Sequence, residues 1–155
     1  MEVTLLAGLP GSGKTTYLSG MEKQGWLILD DFKIGTDNLK FRTSPKFQGL
    51  IEAIRQQRRC VVADIDFCDT NARREAEREL RTEAPDLEPR WLFFENDPAA
   101  CALNIRRRNS ESLENELGYL RKYSPSYQIP DEATPLPVYR KDATAGRQAA
   151  DGADS

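Results

Sequence analysis

The sequence predicts an α/β fold, a three-layer sandwich in which a five-stranded, mostly parallel sheet has helices on both faces. Short apolar runs recur along the chain, with the length and composition of buried parallel strands. Segments with helical spacing of apolar residues separate these runs, as βαβ units require. The predicted strands cover residues 3–7, 26–29, 60–63 and 91–94, with a short edge strand at 136–139.

Length and composition indicate one water-soluble domain. The chain has 155 residues, of which 39% are hydrophobic and 30% charged, and this length is enough to bury a core without disulfides or metals. We expect the domain to span residues 1–140, and residues 141–155, which lack an apolar period, to be a disordered tail. The net charge of −3 argues against membrane binding and against strong nonspecific binding of nucleic acid.

The residue types exclude some chemistry and some compartments. There is no histidine, which excludes histidine-based acid–base catalysis and histidine metal ligands. Cys60, Cys68 and Cys101 are odd in number and widely spaced, so we expect reduced core thiols in a cytoplasmic protein. The first predicted strand begins close to Met1, which leaves no room for a signal peptide, and no apolar run has the length of a membrane span.

The most specific motif follows the first predicted strand. Residues 8–15 fit G-x-x-x-x-G-K-[ST], a phosphate-binding loop. Its glycines let the backbone wrap a phosphate, its N–H groups point at the anion, and the following helix start adds positive potential. Lys14 would reach the β- and γ-phosphates, and the Thr15 hydroxyl would bind Mg²⁺. The predicted nucleotide-binding residues are Gly8, Leu9, Pro10, Gly11, Ser12, Gly13, Lys14, Thr15 and Thr16.

Two aspartates follow the second predicted strand. Asp30 and Asp31 come directly after residues 26–29, and ligands of open α/β sheets bind at the carboxyl ends of strands. One interpretation is that they are turn or helix-capping residues. The other is catalytic, because phosphoryl transfer needs a group that orients or deprotonates the attacking hydroxyl. On that interpretation Asp30 is the base, and Asp31 supports the substrate or the metal.

Residues 32–43 have no clear period and predict a loop or a short helix near the same edge. The segment is either a solvated connector or part of the acceptor site. In the second case Arg42 pairs with an anionic substrate and Phe41 stacks on a flat group. Ser44 and Pro45 then have the pattern of a helix start, a capping residue followed by a first-turn proline.

The third predicted strand leads into Asp64 and Asp66. An apolar strand followed by aspartate is the shape of the second nucleotide motif, whose carboxylate belongs to the Mg²⁺ shell. Because residues two apart on a strand face the same way, we expect Asp64 near the metal and Asp66 closer to the substrate. One of Asp69, Thr70 and Asn71 caps the next helix.

A helix after the fourth predicted strand ends in three arginines, residues 106–108. A basic helix end normally complements the helix dipole. Its position also suits a lid over the nucleotide, expected near residues 104–125. Arginines of a lid neutralise charge that develops on the transferred phosphoryl group. Arg106 and Arg107 are the two that we expect to act in this way.

Together these residues resemble the small P-loop kinases, in the branch around polynucleotide kinase, zeta toxin and chloramphenicol phosphotransferase. The resemblance covers residues 1–140 and rests on GLPGSGKTT, Leu-Asp-Asp-Phe at 29–32, the apolar run before Asp64, Asp-Thr-Asn at 69–71, and the arginines at 106–108. It implies ATP with Mg²⁺ as the phosphoryl donor and a hydroxyl acceptor activated by Asp30. The short segment between Asp31 and Ser44 favours a small molecule or a nucleic-acid 5′ end as the acceptor.

Three functions remain open at the level of sequence. The first is a kinase that transfers the γ-phosphoryl group of ATP to a hydroxyl. The second is a P-loop ATPase or nucleotide-binding regulator without an acceptor, in which Asp30 or Asp66 positions water. The third is a noncatalytic binding module.

Overall fold

The computed structural model describes residues 2–32 and 41–140, and of Arg42 the main chain only. Its sheet has four parallel strands in the order β2-β3-β1-β4. Because all four strands run in one direction, their carboxyl ends meet at the same edge of the sheet. The strands are β1 (Val3–Ala7), β2 (Leu27–Leu29), β3 (Cys60–Ala63) and β4 (Arg90–Phe93).

Helices connect the strands in the order that βαβ units predict. Helices α1, α2 and α3 follow β1, β2 and β3, while α4 and α5 follow β4 and pack against each other. Within the described ranges, no helix is long and apolar enough to cross a membrane. The helices are α1 (Lys14–Lys23), α2 (Phe47–Arg55), α3 (Thr70–Glu83), α4 (Pro98–Arg108) and α5 (Leu113–Tyr123), with 3₁₀ turns at Phe41–Thr43, Ile65–Cys68 and Ser124–Ser126.

Alternation of side chains along the strands divides the core into two clusters, one on each face of the sheet. On one face, Leu6, Val61 and Phe94 pack against Leu18 and Met21 of α1. On the other face, a larger cluster takes residues from the remaining helices, among them Leu50, Leu80, Ile105 and Leu120. The prediction of helices on both faces of a parallel sheet is therefore confirmed.

The predicted fifth strand is wrong, because the segment meets the sheet at one bridge, between Phe94 and Leu136. Pro137 has no N–H group with which to extend the ladder. The next N–H group, that of Val138, donates to the side chain of Glu95 at 3.1 Å instead of to a strand carbonyl. The described sheet therefore has four strands.

We call residues 136–140 the strap, since they cross the carboxyl end of β4 and are held there by main-chain and side-chain hydrogen bonds. The Arg140 guanidinium donates to Glu95 Oε1 at 3.1 Å and also pairs with Asp97. Asp97 caps α4, accepting from the N–H of Ala100 at 3.1 Å. The Ala100 hydrogen bond and the Arg140 guanidinium hold the pKa of Asp97 below its usual range.

The two helix starts predicted from the sequence, at Ser44 and at residues 69–71, have different outcomes. Asp69 caps α3 and accepts from the N–H of Ala72 at 3.0 Å. Ser44 does not cap α2, whose first residue is three positions later. Its hydroxyl accepts from the N–H of Lys46 at 3.1 Å and donates to the carbonyl of Phe32, so it stabilises the turn before the helix.

The turn from β1 into α1 requires glycine. Gly11 and Gly13 have φ values of +83° and +108°, in the left-handed region that residues with a Cβ avoid. A Cβ on Gly11 would also lie 2.4 Å from the carbonyl oxygen of Cys101 in α4. The turn and α4 are therefore packed in direct backbone contact.

We expect Gly11→Ala to lower the free energy of unfolding by about 1–2 kcal/mol from the left-handed conformation alone, with the Cys101 contact adding to the loss. Gly20→Ala is the matched control, because Gly20 lies in α1 with nothing within 4 Å of its Cβ position. There, alanine should stabilise the helix by up to about 1 kcal/mol. Urea unfolding measures both, and equal effects would contradict the described turn.

The three cysteines are buried and free, as predicted. Burial raises the pKa of Cys60 to about 11 and those of Cys68 and Cys101 to about 12. At about pH 8 the thiolate forms are therefore scarce, whereas an unfolded cysteine has a pKa near 8.5. We expect iodoacetamide to label none of the three in the native protein and all of them in urea. Rapid native labelling would contradict this burial.

Candidate functional site

The fold brings the predicted site residues to one edge of the sheet. The phosphate loop, residues 8–15, follows β1, Asp30 follows β2, and Asp64 follows β3. Strand β3 lies between β1 and β2, and the strand register sets the three carboxyl ends nearly level. A triphosphate in the loop would therefore lie beside carboxylates from the two neighbouring strands.

Backbone N–H groups at the start of α1 lack acceptors. Every α-helix has such groups in its first turn, and a capping side chain commonly satisfies one of them. Here the N-cap residue is a glycine, which supplies no side-chain bond. The donors lie at the positive end of the helix, where an anion is favoured. Within the described residues, no acceptor meets the N–H groups of Gly13, Lys14, Thr15 and Thr16.

The side chains around the loop fit a phosphate group. Lys14 Nζ donates to the carbonyl of Gly8 at 2.7 Å, which holds the ammonium group against the loop. A Cβ on Gly8 would lie 2.9 Å from Ser12 Oγ and 3.2 Å from Lys14 Cδ. The buried Ser12 hydroxyl has no partner in the described part of the chain. The glycine therefore keeps a narrow space clear between a cation and a hydroxyl, as close approach of a phosphate requires.

Asp30 and Asp31 form the turn after β2, and both are exposed. Asp31 has a φ of +55°, and its N–H donates to Asp30 Oδ1 at 2.7 Å. Lys46, the N-cap residue of α2, donates to the main-chain carbonyl of Asp30. Neither aspartate caps a helix of the described residues, and the Asp30 carboxylate is exposed. Its role as the base stays a prediction.

Asp64 and Asp66 do not lie on one strand, so this part of the prediction is wrong. Asp64 has extended backbone geometry, whereas Asp66 belongs to the 3₁₀ turn that follows it, and the Asp66 N–H donates to Asp64 Oδ1 at 2.8 Å. Both side chains are buried. The Asp66 carboxylate accepts from the hydroxyl of Tyr123 at the end of α5. Burial, together with this hydrogen bond, raises the pKa of Tyr123, so its hydroxyl remains a donor.

Thr15 and Asp64 stay the predicted Mg²⁺ ligands. Thr15 is exposed in the first turn of α1, and Asp64 follows the adjacent strand. In the described ranges, no three acidic, cysteine or histidine side chains form a metal-binding cluster. Mg²⁺ in phosphoryl-transfer sites uses one or two protein groups together with waters and substrate phosphates. A hydroxyl and a carboxylate are therefore suitable ligands for a metal that arrives with the nucleotide.

The predicted acceptor segment has one wrong assignment. Phe41 is completely buried and stacks on Phe32 with 4.7 Å between ring centroids, so it belongs to the core and offers no surface to a substrate. The side chain of Arg42 lies outside the described part of the structure, and its pairing with an anion stays a prediction.

The predicted lid region, near residues 104–125, is the α4–α5 hairpin. Arg106 and Arg107 are exposed in the last turn of α4. Arg108 pairs with Glu116 of α5 and so joins the two helices. Contact of Arg106 or Arg107 with a phosphate stays a prediction. The disordered tail expected at residues 141–155 also stays a prediction, because these residues lie outside the described part of the chain.

Three further side chains near the edge have no assigned role in the predicted site: Lys46, and Asn104 and Tyr123 of the predicted lid. Asn104 carried a signal that sequence reasoning missed, because it lies on the same helix face as the buried Cys101 and Ile105. An amide among apolar residues on a packed face indicates an internal hydrogen bond. Lys46 carried no comparable signal, and Tyr123 was as consistent with packing of α5 as with a position over the nucleotide. The partners of both are set by the tertiary fold.

Comparison with solved structures identifies the fold. A gluconokinase from Sinorhizobium meliloti 1021 is similar over 92% of this chain and 85% of its own, with a TM-score of 0.55 and 16% identity. The protein APE1195 is similar over 92% of this chain and 86% of its own, with a TM-score of 0.51 and 20% identity. No family model matches the chain, and no curated protein matches it at the significance required. At these identities the similarity shows the fold alone: a parallel α/β sheet flanked by helices, as in the P-loop kinase fold of the gluconokinase.

Proposed function

We propose that this protein binds ATP with Mg²⁺ and transfers the γ-phosphoryl group to a hydroxyl of a small molecule or of a nucleic-acid end. The observation that carries the proposal is the set of N–H groups without acceptors at the start of α1, beside the Lys14 ammonium. The carboxylates of Asp30 and Asp64 follow neighbouring strands at the same edge. Together these groups supply phosphate binding, metal binding and a base, as phosphoryl transfer requires.

In the proposed complex, the main-chain N–H groups donate to the phosphates, and Lys14 exchanges the Gly8 carbonyl for phosphate oxygens. Mg²⁺, held by Thr15 and Asp64, would neutralise charge on the β- and γ-phosphates. Arg106 and Arg107 would add positive charge from the hairpin. Because the main-chain donors of the loop are placed before the nucleotide arrives, they need little reorganisation during the reaction.

The transfer step moves one phosphoryl group and one proton. The acceptor oxygen attacks the γ-phosphorus, and the new O–P bond forms while the bond from phosphorus to the β–γ bridging oxygen breaks. The electron pair of that bond leaves with ADP. Asp30 takes the proton of the acceptor hydroxyl, while Asp31 and Asp66 bind the acceptor. The exposure of Asp30 leaves room for such an acceptor.

The test is a transfer assay with γ-labelled ATP and Mg²⁺ on pooled metabolites, D-gluconate and 5′-hydroxyl oligonucleotides. D-gluconate is included because a gluconokinase has this fold, and the oligonucleotides because of the resemblance to polynucleotide kinases. Label on any acceptor supports a kinase. Release of phosphate without an acceptor supports the ATPase alternative. Absence of Mg-ATP binding in calorimetry would reject the nucleotide site.

Lys14→Ala removes the one loop cation, and a hydrogen bond to a charged group contributes about 1.5–3 kcal/mol. We therefore expect the Kd for Mg-ATP in calorimetry to rise at least about tenfold. Lys23→Ala is the matched control, since Lys23 is exposed in the last turn of the same helix. A Lys14 variant that binds Mg-ATP as well as the Lys23 variant would contradict the proposed loop.

Asp30→Asn keeps the shape of the side chain and removes its ability to accept a proton. General acid–base catalysis contributes about 10²–10⁴-fold, so we expect turnover to fall by that order while the Kd for Mg-ATP stays unchanged. Asp86→Asn provides the control, because Asp86 is exposed before β4, at the opposite end of the strand from the site. Normal turnover in the Asp30 variant would remove this residue from the mechanism.

A further inference from the structure

We propose that Asn104 of α4 is a positioning residue of the nucleotide site: it holds the phosphate loop and the strap in the arrangement that aims the loop N–H groups at the phosphates. This inference rests on the proposed nucleotide binding. It adds a residue from α4, far along the chain from the loop, to a site otherwise made by a local motif.

The contacts of Asn104 join two segments that follow different strands. Its Nδ2 donates to the carbonyl of Gly11 at 2.9 Å and to the carbonyl of Tyr139 at 2.8 Å. The main-chain N–H of Tyr139 in turn donates to the carbonyl of Ser12 at 3.2 Å. One amide group therefore contacts the loop directly and also through the strap.

The chemistry of these partners fixes the orientation of the amide. Both acceptors are main-chain carbonyl oxygens, which cannot donate, so only the NH₂ end of Asn104 satisfies them. Its two N–H bonds then have two acceptors. An aspartate of the same shape would place a second set of acceptors against the two carbonyls.

The hydrogen bonds to the Gly11 and Ser12 carbonyls determine where the loop N–H groups point. The reason is that the C=O and the next N–H of a trans peptide face opposite ways. With the Gly11 carbonyl held by Asn104, the Ser12 N–H turns away and donates to the Leu9 carbonyl at 3.2 Å. With the Ser12 carbonyl held by Tyr139, the Gly13 N–H turns away from the strap. The Gly13 N–H is one of the donors that lack an acceptor in the described part of the chain.

Packing of α4 makes this support rigid. The Cα of Gly11 lies so close to the Cys101 carbonyl that a Cβ there would approach it to 2.4 Å, and Ile105 Cγ1 would be 2.8 Å away. The loop therefore cannot move toward α4, and the Asn104 hydrogen bonds restrain it from moving away. Because Asn104 is only half-buried, water can satisfy the carbonyls when the amide is removed. The main effect of removing the amide is then that the phosphate loop loses its fixed orientation.

The test compares Asn104→Ala, Asn104→Asp and the control Asn115→Ala, an exposed amide on α5, in calorimetry with Mg-ATP and with Mg-ADP. Because main-chain amides cradle the α- and β-phosphates, Asn104→Ala should weaken both nucleotides by the same factor, about tenfold for two hydrogen bonds. Asn104→Asp should weaken both further, and the control should match the wild type. The urea midpoint of each variant confirms that it is folded during the titration.

The outcomes separate this inference from the proposed function. If the wild type binds Mg-ATP and Asn104→Ala binds it within twofold of the wild type, the positioning role is overturned while the nucleotide site stands. A loss of ATP affinity with unchanged ADP affinity also overturns it, because the loop amides would not be the affected groups. If the wild type binds neither nucleotide, the proposed function fails, and this inference fails with it.

Discussion

The rest of the site depends on keeping N–H groups open at the start of α1. Unpaired main-chain donors are costly when a nearby carbonyl could take them, and a short glycine-rich loop has several such carbonyls. In this protein three of those oxygens are engaged by other groups. The bonds run from Lys14 to Gly8, from Asn104 to Gly11 and from Tyr139 to Ser12. The loop thus presents donors to one side because its acceptors are occupied on the other.

Patterns within short segments of the sequence correctly predicted the structural features that depend only on neighbouring residues. The phosphate loop, the strand ends at Asp30 and Asp64, and the cap at Asp69 follow from short segments and from the parallel direction of the strands. Contacts between distant segments could not be read in this way. Asp66 and its partner Tyr123 are 57 residues apart, and Phe41 is buried because the fold stacks it on Phe32. The predicted number of strands was wrong because Pro137 lacks the N–H group that would extend the ladder, although the segment around it has an apolar pattern.

The α4–α5 hairpin links the two halves of the site. Through Asn104 its first helix contacts the phosphate loop, and through Tyr123 its second helix contacts the acidic turn after β3. Arg108 and Glu116 join the helices to each other. The phosphate loop and the acidic turn after β3 are therefore both attached to the hairpin, so a displacement of the hairpin would reach both.

One of the contacts that hold the strap is a cluster of charges at its end. Arg140 joins Glu95 and Asp97, and all three side chains are partly exposed, at 38%, 39% and 32%. Interactions between exposed charges weaken as counterions accumulate around them. Because Tyr139 of this strap donates to the Ser12 carbonyl, weaker ion pairs at Arg140 would loosen one support of the phosphate loop. If the loop binds a nucleotide as proposed, salt concentration would then change its affinity through the strap as well as through screening of the phosphates.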